Sequence, residues 1–275
     1  VRDAGRTHFN LENPGHDCDD CRGSAHQNFI EMDLVAANIQ NLIRLWSLGG
    51  KRAGQLQEFK NYSVSRVANS DWPNKLWFKR MPDMELFQKV MALHDLGGIT
   101  IPVWPETPGL EDMLINADFQ LKNELTGMSV PLERFSQARG NLQVIEVTDR
   151  KSAEKWSQLF YEAFGYLLDP RTVELTMDTM DYYLAVNGEA MVGTVVLYRD
   201  SLHVAGIHSM GIIPEHRRKG YAAELLLQVL SLARQKGAMY GVLQASEMGK
   251  GLYEKIGFKD EFILKNYVKP ELKQQ

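Results

Sequence analysis

The stretch PEHRRKGYAAELL, residues 214–226, places three cationic side chains beside a glycine and directly before an apolar, helix-patterned run. A strand pattern ends near Ile213, and the helix pattern begins near Tyr221. A helix start exposes four unpaired N–H groups and about half a positive charge, which together favour an anion. Gly220 would allow a positive φ or a close approach of the backbone to that anion. The stretch therefore predicts an anion-binding loop. The alternative is a basic helix start that meets only water.

The helix after this loop has the pattern of a packed element, and the loop belongs to neither common phosphate-binding motif. The stripe that we expect to be buried consists of Leu225, Val229, Leu232 and Ala233, widened by Leu226 and Leu230. The sequence lacks both the GxxxxGK[ST] pattern of a P-loop and the GxGxxG pattern of a dinucleotide-binding turn. A different kind of anion site is therefore expected.

The composition narrows the class of protein. The chain has 275 residues, of which 44% are hydrophobic and 24% charged, and this balance is typical of a globular protein with one or two cores. A net charge of −4 argues against a protein that coats nucleic acid. No apolar run approaches the roughly 18 residues of a membrane span, and no signal peptide is recognisable. We expect a cytoplasmic protein that is a monomer or homodimer, without nucleic acid or membrane as partner.

The two cysteines lie close together in GHDCDDCRGSAH, residues 15–26. Cys18 and Cys21 have the spacing of half a zinc site, and His16 and His26 are possible further ligands. No second CxxC pair accompanies them, and no strand pattern precedes them as in a redox motif. We expect a polar N-terminal segment and no metal, with a site at Cys18 and Cys21 as the weaker alternative.

Polarity and periodicity divide the chain into three parts. Residues 1–25 form the polar N-terminal segment, and a rise in polarity near 134–141 separates 26–137 from 142–275. Both larger parts alternate helix and strand patterns, so the expected class is α/β (α+β). The first helix is predicted over residues 28–48, with Gly49 and Gly50 as its end. The two parts share a coarse order of helices and strands.

Two motifs resemble the GNAT superfamily of acyl-CoA-dependent N-acyltransferases. Arg217-Arg218-Lys219-Gly220-Tyr221-Ala222 matches the family pattern [RQ]-x-x-G-x-[GA], between a strand pattern and a long helix pattern. Downstream, LQASEMGKGLYEKIGF, residues 243–258, resembles the second conserved block of the family. The resemblance covers residues 142–268. It implies the GNAT fold, a mixed and mostly antiparallel sheet flanked by helices, with acyl-CoA as cosubstrate.

The resemblance also implies the residues that bind acyl-CoA. Backbone N–H groups of the loop would hold the pyrophosphate, and its cationic side chains would assist or meet the 3′-phosphate. The main chain of the preceding strand would pair with pantetheine, and Gly211 would mark a bulge there or accommodate tight packing. The implied cofactor-binding residues are Met210, Gly211, Ile212, Ile213, Arg217, Arg218, Lys219, Gly220, Tyr221, Ala222, Ser246 and Tyr253.

The implied catalytic acid is Tyr253, which matches the family tyrosine near the thioester sulfur. A phenol is protonated at neutral pH and can protonate the leaving thiolate. The alternative is a tyrosine that packs its ring in the core. Ser246 either contacts pantetheine or caps the helix that carries Tyr253.

The general base is less well defined by the sequence. A histidine or a carboxylate can accept the proton of the amine, often through water. His208 lies two residues before Met210 on a predicted strand, so regular alternation would place both side chains on one face. Glu215 and His203 are further candidates. The alternatives are a structural role for His208 and charge balance with the arginines for Glu215.

Residues 26–137 lack both family motifs. The segment ANSDWPNKLWF, residues 68–78, and the ending FQLKNELTGMSVPLERF, residues 119–135, nevertheless resemble parts of tandem GNAT proteins. We therefore expect a degenerate GNAT-like domain that walls the acceptor cleft; the alternative is an unrelated α/β domain. The aromatic side chains of this part are expected in the core: Trp72, Trp77, Phe78 and Trp104.

The resemblance thus implies an acetyl-CoA-dependent N-acetyltransferase that acts on a primary amine of a small molecule or peptide. Direct attack in a ternary complex would be the mechanism, with backbone amides polarising the thioester carbonyl. Two other classes stay open: a non-catalytic acyl-CoA sensor, and an interaction protein in which the cofactor fold is a scaffold.

Overall fold

The first half of the chain combines three helices with five strands. The structure is a computed structural model, and it describes residues 32–136, 140–200 and 203–270. The segment with Cys18 and Cys21 lies outside these residues. In chain order the elements are α1 (Leu34–Ala53), β1 (Gln55–Glu58), β2 (Tyr62–Arg66), β3 (Lys75–Phe78), α2 (Met84–Leu93), β4 (Thr100–Val103), α3 (Leu110–Asn116) and β5 (Gln120–Pro131).

The second half repeats this order with one additional strand and one additional helix. Its elements are β6 (Gln143–Glu146), α4 (Arg150–Phe164), α5 (Pro170–Thr176), β7 (Asp181–Asn187), β8 (Ala190–Arg199), β9 (Val204–Ile212), α6 (Tyr221–Gln235), β10 (Tyr240–Ala245), α7 (Glu247–Ile256) and β11 (Lys259–Val268). From α1 and from α5 onward, both halves read helix, three strands, helix, strand, helix, strand. This repeat supports the expectation that the halves share one plan.

All strands belong to one mixed sheet, in the order β1-β2-β3-β4-β11-β5-β10-β9-β8-β7-β6. Among the described strands, every neighbouring pair is antiparallel except β3–β4 and β9–β10. The last strands of the two halves are exchanged, because β11 pairs with β4 of the first half and β5 pairs with β10 of the second. β5 and β11 also pair with each other, so the sheet is continuous across the predicted domain boundary. The α/β class with a mostly antiparallel sheet flanked by helices is confirmed.

The two faces of the sheet carry separate cores. Helix α6 packs on one face of the second half, where Leu225, Val229 and Ala233 of the predicted stripe are fully buried. Helices α1 and α4 pack on the opposite face, around Trp77, Trp104 and residues of both halves. The aromatic side chains of the first half therefore lie in the core, although Trp72 is only half-buried.

Helix α1 ends later than the sequence predicts. It continues through Gly49 and Gly50 to Ala53, so the prediction that the two glycines end it is wrong. A Cβ at position 49 would lie 2.6 Å from Pro73 Cγ, and one at position 50 would lie 2.3 Å from Ser65 Oγ. The glycines are therefore needed because the helix lies so close to the β2–β3 region, and tertiary packing compensates their low helix propensity.

A buried polar network holds α1 against the middle of the sheet. Asn38 donates through Nδ2 to the carbonyls of Met128 (3.1 Å) and Leu243 (3.3 Å) and accepts from Gln244 Nε2 at 2.6 Å. Asn38 is fully buried. Because an unpaired buried amide is unfavourable, this satisfied set fixes the register of the helix on strands β5 and β10.

Asn41, one turn later and also fully buried, extends the network to β8 and β9. Its Nδ2 donates to Tyr198 O and to Asp200 Oδ2, both at 3.2 Å. Its Oδ1 therefore accepts from His208 Nε2 at 3.1 Å, which assigns the proton of the neutral imidazole to Nε2. Burial lowers the pKa of His208 to about 4, opposed by a hydrogen bond to Gln244. His208 is a neutral structural partner of α1 at physiological pH.

This lowered pKa predicts a loss of stability in mild acid. The unfolded chain takes up a proton at His208 below a pKa near 6.5, whereas the folded chain does so only near 4. The contribution of neutral His208 to the free energy of unfolding is therefore complete above about pH 6.5 and is lost as the pH falls toward 4. Between pH 7.5 and pH 5 the free energy of unfolding should fall by about 2 kcal/mol for this reason. Urea unfolding at both pH values should show this extra loss in the wild type and its absence in His208→Gln. The exposed His203 provides the control His203→Gln, which should keep the extra loss; equal pH dependence of wild type and His208→Gln would contradict the prediction.

Candidate active site

The start of α6 presents a row of free backbone donors. Gly220 is the N-cap with φ 85°, and Arg218 also has a positive φ of 61°, so the loop turns sharply before the helix. Within the described part of the chain, the N–H groups of residues 218–222 donate no hydrogen bond. Oriented donors at a helix start, with a left-handed turn before them, form a concave anion site. The predicted anion-binding loop has this geometry.

The starts of the other long helices are closed by side chains. Side-chain oxygens of Asp33, Asp83, Asp149 and Ser246 accept N–H groups at the starts of α1, α2, α4 and α7. Among the described residues no side chain caps α6. Its donors are therefore available to an anion from outside the chain.

The cationic side chains of the loop have different environments. Arg217 donates through Nε to the carbonyl of Ile212 and through Nη2 to that of Ala163, both at 2.9 Å. It therefore ties the loop to β9 and α4, which is a structural use of a residue expected at the phosphate. Arg218 and Lys219 are exposed beside the free donors. The positive charge nearest to solvent comes from these two side chains.

Strands β9 and β10 separate after a short parallel ladder. They pair only at Tyr240–Val204, Gly241–Ala205 and Val242–Gly206, and the remainder of β9 up to Ile212 has no partner on this side among the described strands. The free edge of β9 runs directly toward the loop before α6. A parallel pair that opens in this way offers main-chain donors and acceptors to an extended ligand, as an added strand would use them.

A bulge on β9 changes which side chains face each side. The β8–β9 register shifts between Thr194 and Val196, and Ser209 opposite has φ 49°. Beyond it, Met210 packs against the α6 core, whereas His208 contacts α1 on the opposite face. The expectation that His208 and Met210 share a face is therefore wrong, because the inserted residue inverts the alternation.

Gly211 follows the bulge rather than forming it. A Cβ at this position would lie 2.7 Å from Cε2 of Phe164, the last residue of α4. Gly211 therefore accommodates tight packing against Phe164, the alternative to a role in the bulge. The aromatic ring of Phe164 lies on the strand that carries the free edge.

Tyr253 has an unengaged hydroxyl beside the same core. It lies on α7, its ring meets Phe258 edge-on with 5.7 Å between centroids, and it packs against the α6 core together with Met210 and Tyr221. Within the described residues its hydroxyl makes no hydrogen bond. Burial raises the pKa of Tyr253 to about 12, so the phenol is a donor at any physiological pH. Ser246 accepts from Gly249 N at 3.3 Å and caps α7, the structural alternative for that residue.

The structure separates the base candidates from one another. His208 is committed to Asn41 through Nε2, and its pKa near 4 makes it a weak proton acceptor. Glu215 is exposed in the turn before the loop, and it forms no ion pair with the loop arginines within the described residues. His203 is exposed at the start of β9, at the end opposite the loop. His208 is thus unsuited by its pKa and its bond to Asn41, Glu215 lies in the exposed turn, and His203 lies at the far end of β9.

Two features of the region were not recognised from the sequence. The first is the pair Asn38 and Asn41 on α1, which brings the first half over the opening between β9 and β10; two asparagines three residues apart on an apolar stripe were the available signal. The second is the Ser70–Asp71 turn, which binds the segment after α4. No local pattern identifies that partner, because it lies about a hundred residues away in the sequence.

Other kinds of site are not found in residues 32–136, 140–200 and 203–270. No group of three or more histidine, cysteine, aspartate or glutamate side chains in these ranges is arranged to hold a metal ion. No helix in them is long and apolar enough to cross a membrane.

Comparison with known proteins identifies the second half. The family model of the Acetyltransferase (GNAT) family matches residues 142–258. No curated protein has significant sequence similarity to the chain. Solved structures share the fold over both halves, at identities that carry no further conclusion.

Three of these structures illustrate the similarity. A GCN5-related N-acetyltransferase from Kribbella flavida superposes with a TM-score of 0.62 at 14% identity, covering 86% of this chain and 97% of that one. A GCN5-related N-acetyltransferase from Sphaerobacter thermophilus gives 0.55 at 14%, covering 77% and 78%. A GCN5-related N-acetyltransferase-like protein from Streptococcus suis gives 0.53 at 13%, covering 85% and 99%. Within this chain, residues 142–258 are therefore the part that is similar to the GNAT acetyltransferase family.

Proposed function

We propose that this protein is an acetyl-CoA-dependent N-acetyltransferase that acts on a primary amine of a small molecule or peptide. The observation that carries the proposal is a set of free main-chain groups at two neighbouring places, the open edge of β9 and the uncapped start of α6. Acyl-CoA carries a group suited to each place: an extended pantetheine arm with amides for the strand edge, and a pyrophosphate for the helix start.

The residues present fit the cofactor in detail. The free N–H groups of residues 218–222 would hold the pyrophosphate, with Arg218 and Lys219 adding charge at the rim. The main chain of β9 from Met210 to Ile212 would pair with the pantetheine amides, whereas the N–H of Ile213, just beyond β9, donates to Val192 O. When bound, acyl-CoA supplies an activated thioester that an amine converts to an amide with release of the thiol.

Tyr253 would stabilise the leaving sulfur. A thiol has a pKa near 8.5, well below the value of about 12 for Tyr253, so complete proton transfer to the thiolate is unfavourable. The phenol therefore acts mainly as a charge-assisted hydrogen-bond donor to the sulfur as the C–S bond breaks, and the thiolate is protonated from solvent. Tyr253 is partly buried and its hydroxyl has no protein partner among the described residues, so the hydroxyl is available to the sulfur.

The amine proton would leave to water. The nitrogen attacks the thioester carbonyl as the neutral amine, and its surplus proton passes to a water molecule at the open mouth of the cleft. Of the three candidate bases, His208 is disfavoured by its low pKa, Glu215 by its solvent position and His203 by its place at the far end of β9. Catalysis would then rest on positioning and on main-chain polarisation of the carbonyl.

The first half would be a degenerate GNAT-like domain, residues 26–137, joined to a catalytic domain, residues 142–275. Its helix α2 corresponds in order to α6, but Asp83 fills the helix start and accepts Leu86 N at 2.8 Å. A carboxylate at that position excludes a phosphate by charge and by occupancy of the donors. This half would serve by covering the cleft through α1.

The alternative is a sensor that binds acyl-CoA without transferring the acyl group. One observation favours it: none of the base candidates is poised at the free edge of β9. The decisive experiment is an assay of thiol release from acetyl-CoA with a panel of amines, together with calorimetric binding of CoA. Binding with amine-dependent thiol release supports the enzyme, binding without release supports the sensor, and absence of binding contradicts both.

The loop is tested by a charge placed at its turn. Gly220→Glu should abolish CoA binding, because it imposes a side chain at φ 85° and sets a carboxylate beside the pyrophosphate. Gly237→Glu is a matched control at the other end of α6: its φ is 89°, and like position 220 it has open space around a Cβ. Calorimetry should show wild-type CoA affinity for Gly237→Glu. Retained affinity in Gly220→Glu, or equal loss in both variants, would refute the assignment.

The role of Tyr253 is tested by removal of its hydroxyl alone. Tyr253→Phe should lower kcat about 10- to 100-fold, the range expected for one hydrogen bond to a charged group, and leave the Kd of CoA within twofold. Tyr161→Phe, on the exposed surface of α4, is the control and should behave as wild type. Steady-state kinetics with the best amine and calorimetry with CoA measure both quantities. An unchanged kcat would rule out the proposed contact with sulfur.

A further inference from the structure

Apolar side chains are exposed where α4 ends. Phe164, the last residue of α4, and Tyr166 and Leu167, in the α4–α5 connection, expose 37%, 39% and 41% of their surfaces. The two aromatic rings stand on the buried Phe160, with centroid separations of 4.7 Å and 4.9 Å. Contiguous exposed apolar groups on a rigid base are characteristic of binding surfaces rather than of ordinary surface.

This surface adjoins the free edge of β9. The Phe164 ring lies so close to Gly211 that a Cβ there would be 2.7 Å from it, and Gly211 belongs to the strand proposed to pair with pantetheine. The apolar surface therefore continues directly from the acyl-CoA cleft. An acceptor bound on this face of the sheet, beside the proposed pantetheine strand, would contact these side chains.

A turn of the first half holds the segment in place. Asp71 donates its N–H to Leu167 O at 2.8 Å and accepts Leu167 N through Oδ2 at 2.7 Å. Ser70 Oγ accepts Asp169 N at 3.2 Å. These bonds fix the main chain on which Tyr166 and Leu167 are carried, so their exposure is not the result of a loose loop.

The turn itself is anchored to α1. Pro73 is buried and lies against Gly49, in the close approach that makes a glycine necessary within the helix. A rigid path thus runs from α1 through Asp71 and Leu167 to the surface beside β9. Residues of the first half set the position of a surface in the second.

Polar groups occur at one edge of the surface. The Asp71 carboxylate is exposed and retains acceptor capacity, and desolvation together with this carboxylate raises the pKa of Tyr166 to about 12. A cationic ammonium is attracted both by a carboxylate and by the faces of aromatic rings. The surface therefore combines a large apolar area with a weakly anionic edge.

We propose that Phe164, Tyr166 and Leu167 form the acceptor subsite, that it takes a primary amine bearing an aromatic or branched aliphatic group, and that Ser70 and Asp71 are its positioning residues. The inference rests on the proposed function, because it assigns the acceptor of the same cleft. Highly polar amines such as polyamines and aminoglycosides would leave the apolar side chains exposed and gain little from them.

The substrate class is tested with matched pairs of amines. The pairs are phenethylamine with ethanolamine, and L-phenylalaninamide with L-serinamide, each at saturating acetyl-CoA. The apolar member should have a kcat/KM about tenfold higher or more, the effect expected from partial burial of a phenyl group. Equal values, or a preference for the polar member, would overturn the inference while thiol release in either case upholds the proposed function. No release with any amine would overturn both.

The residues are tested with variants that leave the CoA loop untouched. Phe164→Ala should remove most of the preference, lowering the ratio of kcat/KM for phenethylamine to kcat/KM for ethanolamine about tenfold, whatever its effect on the rate common to both amines. Tyr161→Ala, an exposed aromatic one turn earlier on α4, is the matched control and should keep the preference. Melting temperatures confirm that each variant is folded. If Phe164→Ala keeps the preference, or Tyr161→Ala loses it, the assignment of the surface is wrong.

The positioning role is tested at Asp71. Asp71→Ala removes the acceptor for Leu167 N and should raise the KM of the apolar amine about fivefold or more, with kcat changed less than KM. Asp71→Asn retains an acceptor oxygen and should restore most of the lost affinity. A purely structural defect would instead lower the CoA affinity and the melting temperature of both variants together. Failure of the asparagine to restore the KM would overturn the positioning role.

Discussion

The pairing of β5 with β11 is the interaction on which the rest of the structure depends. Each of these strands completes the ladder of the opposite half, because β5 pairs with β10 over residues 126–131 and β11 pairs with β4 over residues 265–268. Separating the halves would leave two ladders open at once, and unpaired main-chain groups are unfavourable when buried. The halves therefore behave as one sheet, and a helix of the first can be positioned accurately over strands of the second.

That accuracy matters at the opening between β9 and β10. Two neighbouring strands of a sheet close on each other unless packing or a register change keeps them apart, since each unpaired group loses its partner. Here the bulge at Ser209 disturbs β9, while α1 binds β9 through Asn41 and His208 and binds β10 through Asn38 and Gln244. The helix thus attaches separately to each side of the opening, and the main-chain groups that are left are the ones an extended ligand can use.

The sequence allowed the local parts of this arrangement to be predicted, but not the long-range ones. The loop before α6 was recognisable because its chemistry lies within a few consecutive residues, with Gly220 as the turn. The predicted end of α1 at Gly49 is wrong because the glycine is required by its close approach to Pro73. Helix propensity depends on the local sequence and takes no account of that distant partner. The predicted alternation of side chains along β9 is wrong beyond Ser209. This residue has a positive φ although it is not a glycine, and no neighbouring residue in the sequence indicates that conformation. The exchange of β5 and β11 between the two halves depends on non-local pairing. The sequence of each strand is equally consistent with an ordinary final strand of its own half.

The electrostatic character of the site follows from the same construction. The groups buried around it are neutral at physiological pH, with the imidazole of His208 held deprotonated and the phenol of Tyr253 held protonated by desolvation. Fixed main-chain dipoles at α6 and β9 then supply the positive potential, and dipoles of this kind need no proton exchange to act. Under the proposed function, an active site built from them would select its nucleotide cosubstrate by shape and hydrogen bonding. The choice of acceptor would then depend on the side chains around the opening, which come from both halves because the sheet joins them.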